Sequence, residues 1–150
     1  MTSVLAAIRP DDLNVPLFLH VLGAMLLVGS VIAAAGTLLA PGFGGDPAGL
    51  RRFAFRTLLF AGLPSYVLMR VAAEWLYSKG YDEVEDDPAW IGIGYITADI
   101  GAILFLLALI CAGIASAKSK DRLGRAAGVL VAIALVGWLV AVWAMGAKPS

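Results

Sequence analysis

Four ionisable side chains lie inside long apolar runs of this sequence: His20, Arg70, Glu74 and Asp99. The chain as a whole is 61% hydrophobic, and its mean hydropathy is +0.89. A charged side chain in hydrocarbon costs about 2.5–3.5 kcal/mol on insertion scales, so such residues usually face a partner or a cavity. An imidazole can carry a proton or bind a metal, a carboxyl can exchange protons, and a guanidinium can orient an anion. We therefore expect any function of this chain to reside at these four positions.

Four apolar stretches are each long enough to form a helix that crosses a membrane. Such a helix needs about 20 apolar residues to cross a hydrocarbon core of about 30 Å, whereas barrel strands have about 10 residues and alternate in polarity. The sequence therefore predicts an all-α, polytopic membrane protein, a single domain that forms a four-transmembrane-helix bundle. The predicted helices cover residues 14–40, 57–77, 90–117 and 126–147.

Charge and cysteine content exclude several other classes of protein. The formal net charge is zero, which gives no support to nucleic-acid binding. The single cysteine, Cys111, cannot form an intramolecular disulfide. The first apolar run exceeds the 7–15 residues of a signal-peptide core, and Arg9 before it is offset by Asp11 and Asp12, so we expect a retained helix.

Basic residues are distributed unevenly between the two ends of the predicted bundle. One end carries seven of them, and the opposite end carries three. By the positive-inside rule, the first group faces the cytoplasm of a bacterial inner membrane, and both termini face outward. The seven residues are Arg51, Arg52, Arg56, Lys118, Lys120, Arg122 and Arg125.

Helix rise places three of the ionisable residues at a similar depth. At 1.5 Å per residue, His20 lies about 9 Å from the outer start of the first helix, and Arg70 lies about 10 Å from the outer end of the second. Asp99 lies about 13 Å from the outer start of the third helix, and Glu74 lies closer to the surface. We therefore predict one polar site in the outer half of the bundle.

Helical spacing adds two tyrosines to this predicted site. Tyr66 lies on one stripe of the second helix with Arg70 and Glu74, which are an i,i+4 pair. Tyr95 lies on one stripe of the third helix with Asp99, together with Gly92 and Ala102. The tyrosines are therefore further candidates for binding a ligand or a proton.

Small residues mark the predicted contacts between helices, because they let membrane helices approach closely. Gly128 and Ala132 form such a contact on the fourth helix, which has no ionisable group in its apolar run and is predicted to be a packing wall. On the first helix, the face of His20 continues through mostly small and weakly polar residues. They are Gly23, Leu27, Ser30, Ala34 and Thr37.

A proline, Pro64, lies in the middle of the second predicted helix. Proline removes one backbone hydrogen bond and kinks a helix. The carbonyl of Phe60 then needs another partner, because lipid offers none. The kink either shapes a cavity beside Arg70 or is an ordinary structural feature of a membrane helix.

The charged residues allow a functional and a structural interpretation. Arg70 either orients a ligand or only pairs with Asp99 or Glu74, since neither charge tolerates lipid alone. Two acids face one arginine, so one acid is in surplus. That acid is a candidate for protonation or for metal ligation.

The imidazole of His20 is likewise open to two interpretations. It either binds a metal or haem, or it forms a structural hydrogen bond to Asp99 or Tyr95. Because it is the only histidine, a haem with two histidine ligands cannot form within one protomer. A haem would need Met25 or another residue as its second ligand, or His20 of a second subunit.

The stretch 17–29 reads LFLHVLGAMLLVG and places Gly23 three residues after His20. It resembles the helix opening seen in small bacterial integral membrane proteins around the copper-resistance D family. The resemblance covers about one helix of four, and His20 is the only site position that it carries over. It implies an inner-membrane protein with a haem- or copper-related role.

Two functions from different classes remain open. In the first, the polar site of an integral inner-membrane protein binds or conducts a proton, a metal or haem, or a small ligand. In the second, the chain is a structural or accessory subunit whose buried charges only specify helix packing. Its partners would be the lipid bilayer and a second copy or another chain of a membrane complex. An enzyme ranks behind both, because no nucleophile–base arrangement is recognisable.

Overall fold

The computed structural model of the chain describes residues 11–40, 46–80 and 89–147. The elements in these ranges are all helical, which confirms the predicted all-α class. In chain order they are a 3₁₀ turn (Asp11–Leu13), α1 (Asn14–Leu39), α2 (Pro47–Thr57), a π-helical turn (Leu58–Gly62), α3 (Leu63–Gly80), α4 (Ala89–Lys118) and α5 (Asp121–Ala147).

Three of these helices, α1, α4 and α5, are long and apolar enough to cross a membrane. They have 26, 30 and 27 residues, and at 1.5 Å per residue each is longer than a hydrocarbon core of about 30 Å. Large apolar side chains point outward along all three, for example Phe18, Ile103 and Val136, which are 62–64% exposed. An apolar surface of this extent is typical of a protein that contacts lipid.

The segment 57–77 belongs to a helical rod that begins ten residues earlier, at Pro47. The side chain of Asp46 accepts hydrogen bonds from the backbone N–H groups of Ala48 and Gly49, at 3.1 and 3.0 Å. This is an N-cap, and proline is well suited to the first position after it. The apolar pattern identified only the hydrophobic part of the rod, because its first turns carry arginines.

The rod contains a π-helical turn directly before Pro64. The N–H of Leu63 donates to the carbonyl of Leu58, five residues back. Insertions of this type are a recognised cause of bends in helices, as proline itself is. α2 packs against α4, whereas α3 packs against α1, and the backbones of α3 and α4 stay apart. The contacts between α3 and α4 are therefore made by side chains.

The helices are arranged so that the bundle has two distinct ends. At one end, here called the site end, α1 and α4 begin and α3 and α5 finish. Lys79 Nζ lies 3.5 Å from Asp12 Oδ2 at this end. At the basic end, α2 and α5 begin, and Arg51 forms an ion pair with Asp121. The four ionisable residues of the predicted site lie in the half of the bundle next to the site end.

The core contains most of the small residues that the spacing indicated. On α1, Gly23, Leu27, Ser30 and Ala34 are buried, as predicted. On α5, Gly128 is buried, and a Cβ added there would lie 2.8 Å from the Leu39 side chain. Helix contacts of this closeness depend on residues without large side chains.

The buried face of α4 differs from the predicted stripe by one residue. The predicted stripe contained Gly92 and Asp99, and both are exposed. The eight buried positions begin one residue earlier and follow the small residues. They are Ile91, Gly94, Ala98, Gly101, Phe105, Ala108, Ala112 and Ala115. The polar residues therefore lie along the edge of the packed face and not at its centre.

We predict that Gly23→Ala lowers the free energy of unfolding by about 1–3 kcal/mol, as overpacking usually does. A Cβ at this position would lie 2.7 Å from the backbone nitrogen of Met69, which cannot move without shifting α3. Gly29→Ala on the same helix is the control, since a Cβ there meets nothing within 4 Å. Thermal unfolding in detergent, followed by circular dichroism, measures both; equal melting temperatures would contradict the close contact.

Candidate functional site

Arg70 lies at the centre of a side-chain cluster that joins α3 to α4. Its Nε lies 3.3 Å from Oε1 of Glu74, and an Nη lies 3.4 Å from Oδ1 of Asp99. The guanidinium carbon also lies 4.6 Å from the centre of the Tyr95 ring, which is within range of a cation–π interaction. The structure thus brings three of the predicted site residues, Glu74, Asp99 and Tyr95, together around the fourth, Arg70.

Tyr95 closes the cluster on its other side. Its hydroxyl donates to Oε2 of Glu74 at 3.1 Å, and its ring meets Tyr77 edge-on, with centroids 6.1 Å apart. Both carboxylates are more exposed than the guanidinium: the Glu74 and Asp99 side chains are 52% and 62% exposed, against 28% for Arg70. The cluster therefore carries one surplus negative charge, located at its outer surface.

His20 is not part of this cluster. Its Nδ1 lies 3.0 Å from the backbone carbonyl of Met69, and this bond replaces the predicted bond to Asp99 or Tyr95. A carbonyl only accepts, so Nδ1 carries the proton, and Nε2 of the neutral ring is left with its lone pair. Histidines that bind a metal or a ligand through Nε2 are commonly oriented by such a bond.

The close contact at Gly23 explains why His20 reaches a backbone atom of another helix. Gly23 lies one turn after His20 and packs directly on the backbone of Met69. Because glycine has no side chain, α3 can approach α1 closely at this point. The approach brings the Met69 carbonyl within hydrogen-bonding distance of the imidazole.

A cavity of about 440 Å³ lies between α1, α3, α4 and α5 in the half of the bundle next to the site end. His20, Arg70, Tyr77 and Tyr95 contribute polar groups to its wall, and most of the remaining wall is apolar. The carboxylates of Glu74 and Asp99 lie behind the guanidinium and do not line it. The predicted residues therefore divide into a cavity wall and an outer ion-pair layer.

Tyr66 lies deeper than the ion pairs. Its hydroxyl is 3.5 Å from the carbonyl of Ala98, at the limit for a hydrogen bond. Its ring is 6.3 Å from that of Trp138. Tyr66 thus packs beside the cavity without lining it, and its role as a binding residue stays a prediction.

Trp138 lines the cavity, although it is not among the site residues predicted from the sequence. The indole is only 4% exposed and packs 6.1 Å from the Phe105 ring. It also packs on Gly101, where an added Cβ would lie 2.7 Å from the indole Cε2. The spacing of α5 could have indicated it, because Trp138 is the one large member of a buried stripe. The other members are Gly124, Ala127, Gly128, Val131, Ala134, Ala141 and Ala144.

The one methionine named as a haem ligand lies away from His20, whereas other thioethers lie near it. Within the described ranges, no group of three or more His, Cys, Asp or Glu residues could hold a metal ion. Met25, the proposed second haem ligand, is 68% exposed and does not line the cavity that His20 lines. The thioethers in the cavity wall are those of Met69 and Met145.

Comparisons with protein-family models, with curated proteins and with solved structures find no match to this chain. The resemblance of the stretch around His20 to the copper-resistance D family therefore stays a prediction.

We predict that Arg70→Met lowers the free energy of unfolding by about 1–2 kcal/mol, because it leaves two carboxylates without a cation. The estimate is below that for a fully buried pair, since both carboxylates are more than half exposed. Adding Glu74→Gln and Asp99→Asn to the same protein should restore part of the loss. Thermal unfolding in detergent measures it. Arg52→Met, at the exposed basic end, is the control and should change little.

Proposed function

We propose that this chain is a multi-pass protein of the cell (inner) membrane, with its basic end on the cytoplasmic side. Three helices of sufficient length and hydropathy support this proposal. In this arrangement, the rod formed by α2, the π-helical turn and α3 is the fourth crossing segment. The seven basic residues at one end support the orientation. The candidate site then lies in the outer half of the membrane.

We infer that the cavity beside His20 and Arg70 binds a small, largely apolar molecule that is dissolved in the membrane. The observation that carries this inference is the cavity itself. Its volume of about 440 Å³ falls within the range of about 300–1,000 Å³ typical of ligand pockets. Such pockets also combine an apolar wall with a few converging polar groups, as this one does.

A proton or metal role has less support from the same geometry. The two carboxylates, Glu74 and Asp99, lie outside the cavity wall, so a proton on them would not be passed to its interior. The described residues also lack a cluster of metal ligands. We therefore place the ligand-binding form of the predicted function first.

A structural or accessory subunit is the second candidate, and one observation favours it. The carboxylates of Glu74 and Asp99 are more than half exposed, and together they exceed the charge of Arg70 by one. In a bilayer, an exposed carboxylate at this depth would favour a partner that covers it. A second chain with a cation at this face would supply that partner. Asp99→Asn should then dissociate the complex, measured by light scattering in detergent.

Ligand binding can be tested by fluorescence quenching, because Trp90 and Trp138 both line the cavity. Replacing the two exposed tryptophans, Trp75 and Trp143, by phenylalanine removes the fluorescence that arises outside the cavity. In this background, we expect 4-bromotoluene to quench the remaining fluorescence in a saturable manner, because bromine quenches only at short range. The expected position of the probe is the apolar part of the cavity.

Two substitutions on α1 give a matched comparison for this test. Ala24→Phe adds a phenyl group to the cavity wall and should abolish saturable quenching. Val21→Phe adds the same group at a position that is 46% exposed, and it should leave quenching unchanged. If both variants bind the probe as the parent does, the probe lies in the detergent and the proposed function is wrong.

A further inference from the structure

The polar groups of the cavity wall differ in whether they can donate a hydrogen bond to a ligand or accept one from it. His20 offers an acceptor, because its Nδ1–H is bonded to the Met69 carbonyl and Nε2 of the neutral ring keeps a lone pair. Arg70 only donates, and it already faces two carboxylates. The Tyr95 hydroxyl donates to Glu74. His20 therefore offers an acceptor to a ligand that carries a hydrogen-bond donor, whereas Arg70 does not.

The charges around the cavity disfavour an ionised ligand of either sign. Arg70 lines the cavity, so a cationic ligand would meet a guanidinium first. Glu74 and Asp99 pair with that guanidinium at 3.3 and 3.4 Å, so its charge is compensated and a buried anion would lack a free counter-charge. A neutral head group avoids both penalties.

Aromatic side chains supply a large part of the wall. They are Tyr77, Trp90, Tyr95 and Trp138. Aromatic rings pack favourably on one another in offset or edge-on arrangements. The remaining wall includes aliphatic side chains such as Leu17, Leu27 and Ile91. A planar ring with an apolar periphery matches this wall better than a flexible polar molecule does.

We propose that the cavity selects a neutral aromatic molecule with a ring hydroxyl, a phenol-type ligand, and that Nε2 of His20 accepts its hydroxyl hydrogen. This inference rests on the proposed ligand-binding function and specifies its substrate class. A site whose acceptor is fixed in place discriminates strongly against an analogue without the donor, because the acceptor is then left unpaired in an apolar environment.

Three probes of similar size test separately whether the ligand must have a hydroxyl and whether it must be neutral. They are applied to the protein that lacks Trp75 and Trp143. The probes are 4-bromophenol, 4-bromoanisole and 4-bromobenzoate. At neutral pH, we expect the phenol to bind at least about tenfold more tightly than the anisole, which corresponds to about 1.4 kcal/mol. The benzoate should give no saturable quenching, because it is an anion.

His20→Asn tests the assigned role of the imidazole. The asparagine amide N–H can keep the bond to the Met69 carbonyl, but the side chain ends before the position of Nε2. We expect the ratio of phenol to anisole affinity to fall to about one, while the melting temperature stays that of the background. A merely structural role of His20 would not change this ratio.

The outcomes distinguish the inference from the function on which it rests. Equal affinity of the background protein for the phenol and the anisole would overturn the inference and leave the binding function standing. A preference for the phenol that persists in His20→Asn would overturn the role of Nε2. Absence of saturable quenching by every probe, 4-bromotoluene included, would contradict the binding function and the inference together.

Discussion

The close contact between α1 and α3 at Gly23 and Met69 is the constraint on which the site depends. A side chain at position 23 would collide with the backbone of α3. Because the two helices meet here, the Met69 carbonyl comes within hydrogen-bonding distance of His20, and the protonated nitrogen of the ring is determined. α3 is thereby held on α1, and its backbone stays apart from that of α4. The cavity occupies the space that results.

The ion-pair cluster has a different role in the same arrangement. Arg70 connects α3 to Asp99 of α4 at a level where the helix backbones do not meet. The second carboxylate that pairs with Arg70 is that of Glu74, which lies on α3 itself, one turn away. The cluster is therefore both a side-chain bridge and one wall of the cavity. The same residues therefore fit both a structural and a functional interpretation.

Much of the fold and part of the site could be predicted from the sequence. Apolar run length gave the helices, and the rise per residue placed Arg70 and Asp99 at matching depth, where the structure joins them. The partner of His20 could not be predicted in this way, because it is a backbone carbonyl and no side-chain pattern records it. The buried face of α4 could not be located from its polar residues, because Asp99 lies along its edge. Small residues such as Gly94 and Gly101 locate it correctly.

The separation of the α3 and α4 backbones lies between the N-terminal helices and the C-terminal hairpin, which are joined elsewhere by packing of α1 on α5 and of α2 on α4. α1 to α3 are joined by their own contacts, and α4 and α5 form the most extensively packed pair. The cavity lies in the seam between this N-terminal group and the C-terminal hairpin, with His20 and Arg70 from one and Tyr95 and Trp138 from the other. During synthesis the cavity is therefore complete only after the last helix has packed on the others. A ligand held there would contact both groups and so stabilise their association.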